Sequence, residues 1–131
     1  MSEVVRDCIA ISDSLVGIIT GPNLASELIL RQPAGAVGAS TNPEISKLIA
    51  RLFKTKYFRV YTSDDLLGCE LAGSAKSIIA LAVGMVVGMG LGENTQATII
   101  TRGLNEVSKL GVALGANPLT FAGLAGMGDL V

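Results

Sequence analysis

The sequence has no histidine and no tryptophan in 131 residues, and aromatics make up only 4% of it. Without histidine the commonest metal ligand and the commonest general base are both missing. Proton transfer must fall to Lys, Asp, Glu, Tyr or water, and no metal site is expected. With so few rings, the core must be aliphatic and built from small side chains. The only cysteines, Cys8 and Cys69, are too far apart for metal-ligand spacing. Together with the lack of a signal peptide they fit a reducing, cytoplasmic setting. The net charge is −1 and no basic cluster occurs, so nucleic acid is not an expected partner. Charge is scarcest in one stretch: between Glu70 and Glu93 only Lys76 is ionisable to a charged form at neutral pH.

That stretch organises the rest. It reads as one long apolar helix with a lone lysine in its early turns. A lysine in such a run is costly to bury without a partner or a task. Ala72, Gly73 and Ala80 share its face at i−4, i−3 and i+4 and leave a small-residue floor beneath the amine. Burial favours a neutral amine, which is a base. The alternative is a lysine that reaches the helix end or meets a carboxylate. Glu70, six residues away, is badly placed for that. Gly84, Gly88 and Gly92 form a ladder at a spacing of four, which predicts close packing on neighbouring helices. The 16 uncharged residues from Ser77 to Gly92 fall short of the roughly 20 that a membrane span needs, and five of them are Ser or Gly. A buried core helix is the preferred reading, with no membrane span.

Half of the chain is apolar and its 16 glycines are scattered rather than gathered in a linker. The length suits one domain, or one and part of a second. Residues 1 to 15 read as helical. Leu15 to Thr20 is a short buried strand closed by Gly21-Pro22, with Asn23 as the cap of the next helix, on which Leu24, Leu28 and Ile29 share a face. Ala34 to Ala39 is a second strand of very small side chains. Asn42-Pro43 is a strong helix start, with Glu44 suiting the dipole. Phe58 to Thr62 is a third strand. Residues 1 to about 62 thus read as αβαβαβ, implying a mostly parallel sheet. After Ser63 every segment reads as helix: about Asp65 to Leu91, Asn94 or Thr95 to near Gly115, and Asn117-Pro118 onward to Asp129. The fold class is therefore α/β, the end of a Rossmann-like parallel sheet, followed by an all-α part. The predicted domains are 1–63 and 64–131. The pattern opens inside a helix and stops without a terminating signal, so an internal piece of a longer protein is expected.

Two further places bear on chemistry. Gly21-Pro22-Asn23 follows a strand and precedes a helix, where ligands collect in open α/β sheets and where a helix N-terminus suits an anion. Asp129 lies in Gly126-Met127-Gly128-Asp129, a carboxylate among glycines in an apolar region. Each, taken alone, also fits a plain loop or a helix cap. Asp64 and Asp65 are read as caps of the central helix.

Six segments together carry a resemblance: Gly21-Pro-Asn-Leu-Ala-Ser-Glu27, Phe58-Arg-Val-Tyr-Thr-Ser-Asp-Asp65, Glu70-Leu-Ala-Gly-Ser-Ala-Lys76, Gly92-Glu-Asn-Thr95, Ile100-Thr-Arg-Gly-Leu104 and Gly123-Leu-Ala-Gly-Met-Gly-Asp129. In this order they resemble bacterial NAD(P)-dependent sn-glycerol-3-phosphate dehydrogenases, from about Thr20 to Val131. The resemblance implies reversible reduction of dihydroxyacetone phosphate by NAD(P)H to sn-glycerol 3-phosphate, for glycerophospholipid synthesis. It implies a nucleotide-binding domain followed by an all-α domain, with the active site between them. It implies Lys76 as catalytic acid/base, Gly21, Asn23, Lys76 and Asp129 as substrate contacts, and Ala25 as a cofactor contact. The candidate assembly of the parent is a homodimer. Two departures stand out. Ser77 occupies a position where the family usually has asparagine. No glycine-rich phosphate loop occurs in residues 1 to 20; the resemblance puts that loop upstream, and an Arg-Asn phosphate grip downstream of Val131. The chain alone is therefore expected to be inactive. A related two-domain hydroxy-acid dehydrogenase and a non-enzymatic helical or membrane-associated module are the competing readings.

Overall fold

A computed structural model describes residues 1–131. The first part holds helix α1 (Ser2–Ile9), a 3₁₀ turn (Asp13–Leu15), strand β1 (Ile18–Thr20), helix α2 (Ala25–Ile29), strand β2 (Ala34–Ala39), helix α3 (Pro43–Phe53) and strand β3 (Phe58–Ser63). The second part is helical: α4 (Leu66–Gly88), α5 (Glu93–Ala113), α6 (Pro118–Ala122) and α7 (Met127–Leu130).

The β2–α3–β3 unit forms as its sequence predicts. Asn42 caps α3, its Oδ1 accepting from the Glu44 amide at 3.0 Å, with Pro43 in the first turn. β2 and β3 pair in parallel from Ala34↔Phe58 to Ala39↔Ser63. The small side chains of β2 let α3 lie close: a Cβ on Gly38 would stand 2.8 Å from Ile49 Cγ2. Ala36, Phe58 and Val60 are buried there, with Leu28 and Ala50 packed on them.

β1 departs from the mostly parallel expectation. It pairs with β2 antiparallel, Ile18↔Ala39 to Thr20↔Val37, in the order β1-β2-β3. The reason is the length of α2. Five residues of helix advance about 7.5 Å, too little to carry the chain back along a six-residue strand of about 20 Å. The chain turns back instead. Of the face predicted for α2, only Leu28 is packed, while Leu24 and Ile29 are exposed. Asn23 is not its cap; that position falls to Leu24, which makes no capping side-chain bond.

The opposite face of the sheet receives α4. Leu66 and Cys69 bury against Ala39 and Ala125, with Ile18 and Val37 alongside. Asp65 caps α4, accepting from the Gly68 amide at 2.9 Å, and its other oxygen accepts from the Asn117 amide at 3.0 Å and the Thr120 hydroxyl at 2.5 Å. One carboxylate thus ties the start of α4 to the start of α6. Behind it Phe121 is buried with Ala72 and Ala116. The third predicted helix is broken: α6 stops at Ala122 and α7 begins at Met127. The chain folds back so tightly that a Cβ on Gly126 would stand 2.2 Å from the Phe121 carbonyl oxygen.

Two expectations about α4 are corrected. It is not buried throughout, since its buried residues are Leu66, Gly68, Cys69, Ala72, Ile79 and Val86. By length and composition it is the one helix able to cross a membrane, and only 17% of its most apolar window is covered. The glycine ladder does not pack either: nothing lies within 4 Å of a Cβ placed on Gly84, Gly88 or Gly92. Close approach of α5 occurs instead at Gly103, where a Cβ would meet Ile79 at 2.9 Å.

Cys69 gives a pH-dependent signature of this packing. Burial, reinforced by Asp65 and opposed by a hydrogen bond with Ser63, pushes its thiol from 9.0 up to about 11. The folded chain therefore keeps a proton between about pH 9 and 11 that the unfolded chain releases, so this group's contribution to stability is lost as pH rises through that window. Urea midpoints should fall more steeply over that range for the wild type than for Cys69→Ala. Equal slopes would remove Cys69 as the cause.

Candidate active site

Lys76 lies in the third turn of α4, and the sheet fixes what it faces. Leu66 and Cys69 sit over Ala39 and Ile18. One further turn on, Gly73 faces Thr20: a Cβ there would stand 3.4 Å from the Thr20 hydroxyl. Thr20 pairs with Val37, so α4 crosses the sheet toward the N-terminal end of β2. From Gly73 to Lys76 the helix advances about 4.5 Å, a little more than one strand residue. Lys76 thus follows the Gly73–Thr20 approach by just under one turn of α4, and Gly21-Pro22-Asn23 is the turn that follows Thr20. Because β1 is antiparallel, this turn lies at the opposite end of the sheet from the carboxyl ends of β2 and β3.

Gly21 is required at this turn. Its φ is +134°, a region that side-chain-bearing residues rarely enter, and a Cβ would stand 3.0 Å from Ala36 Cα. Asn23 follows, half-buried, and its side chain is not used to cap α2. Ala25 is exposed as the first residue of α2.

The Lys76 amine donates to the Asp129 carboxylate. The Lys76 side chain is 35% exposed and that of Asp129 13%. The isolated, buried lysine read from the sequence is thus replaced by a half-buried ion pair. Asp129 reaches it from α7, which the Gly126 turn aims back at α4. Of the floor residues, Ala72 is buried beneath Phe121, Gly73 abuts Thr20, and Ala80 is exposed. Ser77 is exposed as well. The structure thus joins Lys76 to Asp129 directly, and sets Gly73, three residues earlier on α4, against Thr20. Gly21 and Asn23 follow Thr20 in the chain, and Ala25 opens α2. Sequence reasoning singled out both Lys76 and Asp129, but not their pairing across 53 residues.

Glu70 is engaged elsewhere. Its carboxylate accepts from the Ser2 amide at 2.6 Å and the Ser2 hydroxyl at 2.8 Å, with the terminal amine at 3.4 Å. Burial pushes its carboxyl up, but these bonds and the amine outweigh that and hold it below its usual value. It borders a cleft of about 350 Å³ between α1 and α4, where Arg6 pairs with Asp13 at 2.8 Å. Within that cleft Glu70 is engaged by Ser2, and Arg6 by Asp13, and neither Lys76 nor Asp129 lines it.

The geometry defines a class: a lysine–carboxylate pair where an α/β sheet meets a helical assembly, suited to moving a proton to or from a small polar ligand. Comparison with known proteins names the family. Residues 65–131 match the model of the "NAD-dependent glycerol-3-phosphate dehydrogenase C-terminus". The whole chain is 51% identical to the glycerol-3-phosphate dehydrogenase [NAD(P)+] of Streptomyces coelicolor and covers 39% of it. Among solved structures, glycerol-3-phosphate dehydrogenase from Coxiella burnetii is 43% identical with a TM-score of 0.84, over 87% of this chain and 35% of that one. DsGPDH of Dunaliella salina is 30% identical with a TM-score of 0.91, over 98% of this chain and 22% of that one. The chain belongs to the NAD-dependent glycerol-3-phosphate dehydrogenase family. It spans about two fifths of the length of the curated relatives it matches.

Proposed function

We propose that the protein carrying this chain reduces dihydroxyacetone phosphate reversibly to sn-glycerol 3-phosphate with NAD(P)H, supplying glycerophospholipid synthesis in the cytoplasm. The observation that carries this reading is the Lys76–Asp129 pair, three residues beyond the approach of Gly73 to Thr20, in a chain of this family. The division of labour falls near Ser63: residues 1–63 finish the nucleotide-binding domain, and residues 64–131 begin the all-α domain.

The nicotinamide supplies the hydride when bound. Of its surroundings, these residues offer one fitting contact, the exposed methyl of Ala25. Nothing here resembles a pyrophosphate cradle, since proline follows Gly21 and α2 has only five residues. The chain's own part is proton handling. As a carbonyl carbon accepts hydride, negative charge develops on its oxygen. The Lys76 ammonium donates a proton there, and in the oxidising direction the amine takes the hydroxyl proton back. Asp129 orients the amine toward that oxygen and also contacts the substrate. Gly21 lets the backbone come close, and the Asn23 amide is free to bond a substrate hydroxyl.

The test is a substrate panel on the full-length protein, read as NADH or NADPH oxidation. Dihydroxyacetone phosphate should turn over, while unphosphorylated dihydroxyacetone and 2-oxo acids should be poor substrates. Faster turnover of a 2-oxo acid would favour a hydroxy-acid dehydrogenase instead. The 131 residues alone should show no turnover.

A further inference from the structure

From Asp65 to Lys76 the chain makes three turns of α4 and about 20° more, so the two residues share one side of the helix. Ala72 lies between them on that side. The segment from Asn117 to Asp129 meets the helix at these three places. The Asn117 amide donates at 3.0 Å and the Thr120 hydroxyl at 2.5 Å to one oxygen of Asp65. Phe121 buries on Ala72. Asp129 receives the Lys76 amine.

The segment is locked within itself. The Asn117 side chain caps α6, accepting from the Leu119 amide at 2.9 Å. The Gly123 carbonyl accepts from the Gly126 amide at 3.2 Å and the Gly128 amide at 3.0 Å, and the Asp129 amide donates to the Gly126 carbonyl at 3.2 Å. Phe121 is wedged against α5 as well, where a Cβ on Gly111 would stand 2.2 Å from its Cζ. That burial is apolar and sets no direction, so Phe121 is a pivot. The bonds to Asp65 are directional and charge-assisted, and they fix the angle about it. Asp65 is itself closely seated. Its other oxygen accepts from the Gly68 amide at 2.9 Å, and a Cβ on Gly68 would stand 2.0 Å from the oxygen that holds Asn117 and Thr120.

We propose that Asp65 is a positioning residue for the Lys76–Asp129 pair. By gripping Asn117 and Thr120 it sets how the 117–129 segment lies along α4, and so seats the Asp129 carboxylate on the Lys76 amine. Its effect on turnover rests on the acid–base role proposed above for Lys76; its effect on the pair does not.

The test uses the full-length protein and two readouts. An amine held by a carboxylate acylates more slowly than a free one, and mass spectrometry reads each lysine separately after brief acetic anhydride treatment. Asp65→Asn leaves one oxygen for two tasks. Thr120→Val removes only the hydroxyl and spares the cap of α4, so it decides the matter should Asp65→Asn not fold. Both should acetylate Lys76 at least about threefold faster than the wild type, toward the rate in Asp129→Ala. Thr120→Ser, which keeps the donor, should match the wild type. Lys47 and Lys109, paired only within their own helices, are the internal references and should not change. In kinetics, Asp65→Asn should lower kcat/KM for dihydroxyacetone phosphate about tenfold through misplacement of the pair. In an Asp129→Ala background it should cost less than about twofold more, because the two act through one contact. Wild-type acetylation of Lys76 in both variants would overturn the proposal. So would an equal rise at all three lysines, which marks a loosened fold, or a full tenfold kinetic loss without Asp129. Absence of turnover by the wild type would strike the proposed reaction, and the acetylation rates would still decide the role of Asp65.

Discussion

Replacing Lys76 by alanine in the full-length enzyme should lower kcat by about 10²- to 10⁴-fold, the usual worth of a positioned acid or base. Cofactor affinity should change little, because Lys76 pairs with Asp129, while the cofactor contact proposed for this chain is Ala25. Steady-state kinetics give the first quantity, and quenching of NAD(P)H fluorescence gives the second. A loss confined to kcat and kcat/KM marks an interaction made in the transition state. An unchanged kcat would remove Lys76 from the chemistry and leave the ion pair as a structural tie between α4 and α7.

The second large effect belongs to Gly126, which touches no ligand. Alanine there would put a methyl 2.2 Å from the Phe121 carbonyl oxygen and 2.7 Å from that residue's backbone carbons. No rotamer relieves a clash with backbone, so the turn must open. Overpacking of this kind costs about 1–3 kcal/mol or more, a fall in Tm of roughly 5–10 °C for a domain of this size. The displacement also moves α7, and with it Asp129, away from Lys76. Gly126→Ala should therefore lose activity at temperatures where it is still folded. Gly123→Ala, three residues earlier in the same turn, is the control. Its Cβ would stand 3.4 Å from the nearest atom, the Thr120 carbonyl oxygen, and it should keep stability and activity. Equal behaviour of the two variants would contradict the geometry given to the turn.

What the sequence revealed divides along a physical line. Local signals were reliable. Asn42-Pro43 and Asn117-Pro118 start helices with their asparagine oxygens on the amides of Glu44 and Leu119. Asp65 caps α4 as its position suggested. Lys76 stood out because a charge in an apolar helix needs a reason, and that logic requires no knowledge of the fold. Features that depend on distant chain were not legible. The direction of β1 follows from how short α2 is, and helix length is poorly read from a segment whose apolar residues turn out to be mostly exposed. The partner of Lys76 lies 53 residues away, and no periodicity connects the two. Asp129 looked like one glycine-flanked carboxylate among several acids until the Gly126 turn brought it round. The glycine ladder failed for a different reason. α4 ends at Gly88, so Gly92 leaves the helix and instead precedes α5, and no neighbour comes within 4 Å of the three positions. The second bond set of Asp65, to Asn117 and Thr120, was likewise missed. It becomes visible only when α6 is placed against the start of α4.

The central claim is that Lys76 moves a proton rather than merely carrying a charge, and Lys76→Arg separates the two. Arginine keeps the positive charge and can still pair with Asp129, but its guanidinium stays protonated and does not exchange a proton at working pH. The decisive measurement is kcat of the full-length Lys76→Arg enzyme with dihydroxyacetone phosphate and NAD(P)H. The expected loss is close to that of Lys76→Ala. A rate near that of the wild type would show that charge alone suffices, and would contradict the acid–base role given to this lysine.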